Sequence, residues 1–448
     1  MKRLLFSNSL LAVILSLLAT THALASVTLS TANFPDDNFR AAVATAAGAS
    51  VGSSFNEANL TSLDLPSLGV TNVTNLKGLE LLTGLTYLDI SDNNSLSTGA
   101  NITTLRALVT LKASNCNIRT LLATTETYSG NTYAGLTIGS GNASIKYLDL
   151  SHNERFYYSG NLKYLTNLET LLLNNCTYYD YWGADPGIAM SSLKWVDVSN
   201  CPIMDRIFLP NARSLNHLNA SGTALKGFSS SASTSAPTQY YITLPSNLAT
   251  LEYLNLANCP SLNSFRAIKD HYNITCLDTL ILTNDTHLGW SNHGIEAQTG
   301  MTYLDVTNCD ISTAGPDYIP NFDNLKSLET LLYGENPNVG YLRLNGCNAL
   351  TTIDLHDNTS LTMLALDNCG LPRTNLTIND NNCPAFTGLK LNNNSYSSVA
   401  EAMGNATTWG LDNIKFLYLE NNSGFTGGPL TLSESDCMGL TGLDLSNN

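Results

Sequence analysis

Residues 251–262 read LEYLNLANCPSL, and their spacing decides the fold. Leu251, Leu254 and Leu256 are apolar, Cys259 follows three residues later, and Leu262 closes the unit. In a short strand, side chains alternate between faces. Leu254 and Leu256 therefore point inward, while Tyr253, Asn255 and Ala257 face solvent.

The same frame recurs along the chain. With Ile, Val, Met, Phe or Ala allowed for Leu, it starts at Leu60, Leu85, Leu108, Ile145, Leu168, Leu193 and Leu215. After Leu251 it starts at Leu277, Met301, Leu328, Val339, Leu350, Leu361, Phe386, Ile414 and Leu440, with fainter copies near Leu376–Ile378 and Leu430–Leu432. Regular neighbours stand 22 to 26 residues apart. A 20–29-residue period carrying LxxLxLxx(N/C)xxL defines a leucine-rich repeat. The expected fold is therefore a β-rich α/β repeat: a solenoid or horseshoe with a parallel concave sheet and a short N-terminal helical cap.

Two departures from the period carry detail. From Leu328 the starts fall 11 residues apart, so both sides of those coils should hold a short extended segment. At 119–144 and 226–248 the spacing leaves room for insertions, which usually become loops on one face.

The N-terminus carries an export pattern. Lys2 and Arg3 precede an apolar run, Leu10–Leu18, and Ala23-Leu24-Ala25 is a small-residue cleavage motif. The expected organisation is a cleaved signal peptide over 1–25, a helical cap over 26–58 and a repeat array over 59–448. The run is too short to span a bilayer, and no later stretch is long and apolar enough, so no transmembrane segment is expected in the mature chain. Loss of Lys2 and Arg3 takes the net charge from −15 to about −17. Such a surface repels phosphate backbones, which argues against nucleic acid as a partner.

The chain has 10 Cys. In an exported protein these would ordinarily suggest disulfides. Seven of them, Cys116, Cys176, Cys201, Cys259, Cys309, Cys347 and Cys369, occupy the Asn/Cys slot of the repeat. Parallel in-register strands hold such side chains about 4.8 Å apart, wider than the mean disulfide Cβ separation of about 3.8 Å. Buried, reduced thiols are expected. Cys276, Cys383 and Cys437 fall off the slot and are left unassigned.

Pro35 suits the first position of a helix, with Asp36 and Asp37 at its positive end. Phe34, Phe39, Val43 and Ala46 form its apolar face, and Gly48 stops it. FPDDNFRAAV at 34–43, followed by LTSLDLPSLGVTNVTNLKGLELLTGLTYLDISDNNSL at 60–96, resembles exported bacterial leucine-rich-repeat proteins. These are the BspA-like surface proteins, with the internalins as more distant relatives. The resemblance covers nearly the whole mature chain and implies adhesion or host interaction. Relatives often carry a calcium-type loop after the first helix; here residues 48–57 lack the necessary carboxylates, so no calcium is expected. The chain stops at Asn448 inside a repeat, so a cap, sorting segment or catalytic domain beyond that point stays open.

The candidate binding face is a solvent-facing column just before the second leucine of each unit. It reads Tyr87, Tyr147, Trp195, His217, Tyr253, Tyr303, Tyr341 and Phe416, with Thr between. Two residues further along each strand lie Asp89, Asp149, Asp197, Asn255, Asp305, Asp354 and Asp444. Aromatic rings beside carboxylates suit a protein epitope or a sugar. The competing reading is cross-strand stacking that only stabilises the sheet. His287 and His293 lack partners at zinc spacing, so no metal is expected. No cofactor is expected either, because GxGxxG and GxxxxGK(S/T) are both absent. The sequence thus predicts a non-enzymatic, secreted or cell-surface binding protein for an extracellular protein or glycan. The alternatives are a cell-envelope spacer, or the recognition part of an enzyme whose catalytic domain follows residue 448.

Overall fold

A computed structural model describes residues 26–448 apart from 124–133, 157–159, 177–181, 184–189, 230–240, 264, 266, 271, 289–293, 310–321, 371–375, 378–381, 404–413 and 427–438. The expected signal peptide, Cys437, His271, His293 and the faint copy at 430–432 lie outside the described residues. The chain forms two compact units, Met1–Tyr147 and Leu148–Asn448. Each is a parallel-strand leucine-rich-repeat solenoid.

In the first unit, Ser62–Asp64, Tyr87–Asp89 and Thr110–Lys112 pair in parallel, leucine against leucine. The second unit extends the same scheme from Thr170–Leu172 through Trp195–Asp197, His217–Asn219, Tyr253–Asn255, Thr279–Ile281, Tyr303–Asp305 and Thr330–Leu332 to Thr352–Asp354 and Leu376–Thr377. The middle residue of each of these three-residue strands is buried: Leu88, Leu254, Leu280 and Leu304 are all at 0% exposure. Each fully buried leucine is worth about 1.5–3 kcal/mol, so the inward columns hold the coils together.

The 11-residue spacing marks a second sheet. Among the described residues, Tyr341–Arg343, Met363–Ala365, Gly388–Lys390, Phe416–Tyr418 and Gly442–Asp444 pair only with one another. Tyr341, Phe416 and Asp444 therefore leave the column to which their frame assigns them. A shared motif placed them together, but half a coil of chain carries them to a different sheet.

The described parts of the two insertions include strands. Ile118–Ala123 and Ala134–Ile138 pair in parallel, with Ala100–Asn101 on the other side of the latter. Gly227–Phe228 and Tyr241–Thr243 pair within a four-stranded sheet that includes Trp182–Gly183 and Ile207–Phe208. β-branched residues at 118, 120, 137, 138, 242 and 243 favour that extension.

The N-terminal helix runs Asp37–Ala46, with Asp36 as N-cap; Pro35 precedes the cap instead of opening the helix. Asp36 Oδ1 accepts from Phe39 N at 2.9 Å, while Oδ2 accepts from Thr74 N, Thr74 Oγ1 and Asn75 N. One carboxylate thus starts the helix and fastens it to the chain ahead of the second coil. Phe34, Phe39 and Val43 are fully buried beneath it. Ser26–Thr28 pairs antiparallel with Ser54–Asn56.

Candidate functional site

The turn after each strand explains the acidic column. A side-chain oxygen at the third strand position accepts the N–H two residues on: Asp149 from Ser151 at 2.9 Å, Asp197 from Ser199 at 2.9 Å, Asn255 from Ala257 at 2.9 Å and Asp305 from Thr307 at 3.0 Å. These are Asx-turns, in which a short polar side chain replaces a backbone acceptor. The column is therefore first a turn device. Asp89 departs from the expected exposure: it is 8% exposed, enclosed by Tyr87 and Lys112. Ala257, expected in solvent, is buried at 6% because its backbone folds into the turn.

The inward slot behaves as expected. The described cysteines are free thiols. Each slot thiol donates to a carbonyl of the preceding coil, as in Cys116 to Ile90 O at 3.0 Å, Cys309 to Leu282 O at 2.9 Å and Cys369 to Leu344 O at 2.9 Å. Cys383 joins them through Leu355 O at 3.2 Å. Half-buried Cys276 bonds Leu251 O at the opening of the repeat. Burial pushes the Cys201, Cys347 and Cys369 thiols up to about 12, so none of these three is a nucleophile. The residue before the slot is repeatedly Asn in left-handed backbone, as at Asn115, Asn175, Asn200, Asn258, Asn308 and Asn368. Asn tolerates that region better than most residues. The recurring Asn-Cys dipeptide was the signal for it.

The aromatic column is not a continuous stripe. Strand register interrupts it with Thr110 beside Tyr87, Thr170 beside Trp195, and Thr279 between Tyr253 and Tyr303. Tyr147 lies in the first unit, its N–H bonded to Val109 O. Among the described residues of this column, three rings are consecutive. Trp195 stacks on His217 with centroids 3.4 Å apart and planes 6° apart, and His217 stacks on Tyr253 at 3.9 Å and 5°. Burial between its neighbours lowers the His217 pKa to about 4, against a smaller opposing pull from Asp197. The imidazole is therefore neutral through the physiological range, and the stack is an uncharged slab. Trp195 keeps 43% of its surface exposed.

Elsewhere, rings are met by the chain's own lysines. Lys112 Nζ lies 5.5 Å from the Tyr87 ring centroid, and Lys390 Nζ lies 5.9 Å from that of Tyr341 and 5.3 Å from that of Tyr418. Among the described residues, no group of three or more His, Cys, Asp or Glu is placed to hold a metal ion. No described helix is long and apolar enough to cross a membrane.

Together these features define the class: a leucine-rich-repeat solenoid whose short parallel strands carry a ring-bearing solvent face. No protein-family model matches the chain, and no curated protein matches it significantly. Among solved structures, it is similar to the functional domain of InlJ from Listeria monocytogenes, described as including a cysteine ladder, at 19% identity and a TM-score of 0.39, over 90% of this chain and 78% of that one. It is also similar to the internalin inlF from Listeria monocytogenes at 15% identity and 0.42, over 96% and 100%. A third likeness is to TLR13 in its complex with ssRNA13, at 18% identity and 0.37, over 83% and 50%. Strand register and the buried leucine columns, not these distant likenesses, fix the fold.

Proposed function

We propose that the chain is an exported binding protein that engages an extracellular protein or glycan, in adhesion or host interaction, through the ring-bearing face of its strands. The observation that carries this reading is the Trp195–His217–Tyr253 stack. At the same strand position the neighbouring coils use Thr170, Thr279, Thr330 and Thr352, and Thr is well suited to a purely structural strand site. Three large rings there, with Trp195 left 43% exposed, keep apolar surface in water that folding does not require. Aromatic anchors of this kind dominate recognition surfaces.

Export is supported by the charged, apolar and small-residue succession of residues 1–25, and a surface role by the resemblance of 34–43 and 60–96 to surface proteins. A hydrolytic reading is disfavoured by the acidic column itself, in which one oxygen of each of Asp149, Asp197 and Asp305 is tied to a turn N–H group. The competing reading is a spacer, in which the stack only strengthens adjacent strands by about 0.5–1.5 kcal/mol per ring pair.

The test is to present purified residues 26–448 to arrayed extracellular-matrix proteins and glycans. The Trp195→Ala, His217→Ala, Tyr253→Ala triple variant runs alongside, with its fold checked by circular dichroism. A ligand bound by the wild type and lost by the folded variant supports recognition. A broad panel with no ligand favours the spacer.

A further inference from the structure

One solvent-face arrangement occurs twice in the same register. In the first unit, Tyr87 pairs with Thr110 and Asp89 with Lys112 on the next strand. Thr110 is too short to cover the tyrosine ring. The Lys112 ammonium lies over it, 5.5 Å from the centroid and 3.9 Å from Asp89 Oδ2. The Tyr87 hydroxyl and, less strongly, the Asp89 carboxylate raise the lysine pKa against the opposing effect of burial. The pocket therefore prefers a charged amine.

In the second unit, Tyr303 pairs with Thr330 and Asp305 with Leu332. Ring, carboxylate and threonine are retained; leucine stands where the first copy has lysine. All four side chains are half-buried and open to solvent. Asp305 Oδ1 accepts from Thr307 N, and among the described residues Oδ2 makes no hydrogen bond or ion pair. Lys390, close to Tyr341 and Tyr418, shows that ring-to-ammonium pairing is general on this chain.

We propose that Tyr303 and Asp305 seat a lysine side chain of a basic protein partner, whose ammonium takes the place against them that Lys112 takes against Tyr87 and Asp89. This rests on the strand face being a recognition surface and names the partner class. The net charge of −15 is complementary to such a partner and steers its approach. Carboxylate and ring together select a cation: the ring face attracts it by its quadrupole, the carboxylate by its charge.

The experiment is calorimetric titration of the purified chain with a hexalysine peptide and with its Nε-acetylated form. The variants are Tyr303→Ala, Asp305→Asn, Leu332→Lys and Leu332→Gln. Ser360→Lys adds the same charge as Leu332→Lys, but in an exposed turn. Asp305→Asn should keep the turn, because Asn255 makes the equivalent bond to Ala257 N. Acetylation should abolish binding. Tyr303→Ala and Asp305→Asn should each weaken it about 5-fold. Leu332→Lys, which supplies the ammonium from within, should weaken it at least as much, while Leu332→Gln and Ser360→Lys stay within about 2-fold.

Equal affinity in folded Tyr303→Ala and Leu332→Lys would overturn the proposal by reducing the attraction to net charge alone. Equally tight binding of the acetylated peptide would overturn it too. An arrayed ligand that depends on the Trp195 stack but ignores Leu332→Lys would sink the lysine seat and leave the recognition face standing. Failure of both peptide and array would remove both.

Discussion

Asp285 sits in the inward slot that Asn or Cys fills elsewhere, with no side-chain N–H to give. It is fully buried; Oδ1 accepts from Cys259 N at 2.8 Å and Oδ2 has no partner. The equivalent Asn336 gives its amide to Val306 O at 2.9 Å while accepting from Cys309 N. Burial pushes the Asp285 pKa up to about 9, against a smaller lowering by the Cys259 bond. The fold thus holds it protonated, whereas the unfolded chain ionises near the ordinary value of about 3.9. Its contribution is full below pH 4 and is lost as the pH rises from there towards 9. Asp285→Asn, read by urea denaturation at pH 5, 7 and 9, should raise stability by about 2–4 kcal/mol at pH 7 and flatten the decline above it. An unchanged midpoint at all three values would remove this account of the site.

The thiols give a second residue-scale expectation. The slot cysteines should resist Ellman's reagent in the native protein and react on unfolding, because their thiolates are disfavoured by burial. Rapid native labelling of more than the half-buried Cys276, among the described cysteines, would contradict it. Seven of these slots were readable from spacing alone. Cys383 was not, because its coil follows the change to two interleaved sheets. Asp285 was missed because its position matched no Asn or Cys in the pattern, although the frame starting at Leu277 reaches it.

At the scale of elements, period and face were readable where one strand follows another by a full coil. The 11-residue spacing announced strands on both sides, yet motif identity gave no way to tell which sheet each joined. Only pairing does that, and it sends Tyr341 and Phe416 away from Tyr303. The acidic column was visible in sequence but its first role was not, since an Asx-turn depends on where the next N–H points. The N-terminal helix shows the same limit: its existence was clear, but Asp36, not Pro35, opens it. Burial alone would raise the Asp36 pKa; the bonds from Phe39, Thr74 and Asn75 outweigh it and hold the carboxyl below its usual value. Its contribution is present above the unfolded pKa and is lost as the pH falls through the folded one. Asp36→Ala should cost about 1–2 kcal/mol in urea denaturation at pH 7, and less at pH 3. A cost that is the same at both pH values would show that the cap does not act through its charge.

At the scale of the whole molecule, a long array of short strands offers many equivalent positions, and composition alone cannot say which serve recognition. The distinction comes from register: rings backed by rings form a slab, rings backed by threonine keep a bare face, and some of those faces are covered by the chain's own lysines. The neutral His217 adds a pH expectation. Its folded pKa of about 4 lies below the unfolded value of about 6.5, so the stability it contributes is full above pH 6.5 and is lost as the pH falls towards 4. Binding through the slab should accordingly be level between pH 6 and 8 and should weaken below pH 5, as measured by biolayer interferometry. A midpoint near 6.5 would indicate an unstacked histidine.

The most direct measurement is the affinity of wild type and the Trp195→Ala, His217→Ala, Tyr253→Ala variant for one arrayed ligand, with the urea midpoint taken on the same samples. A recognition face predicts that affinity falls at least about 10-fold, as for aromatic anchors, while the variant stays folded with a modestly lower midpoint. Undiminished affinity in a folded variant would contradict it and leave the stack as a strut between strands.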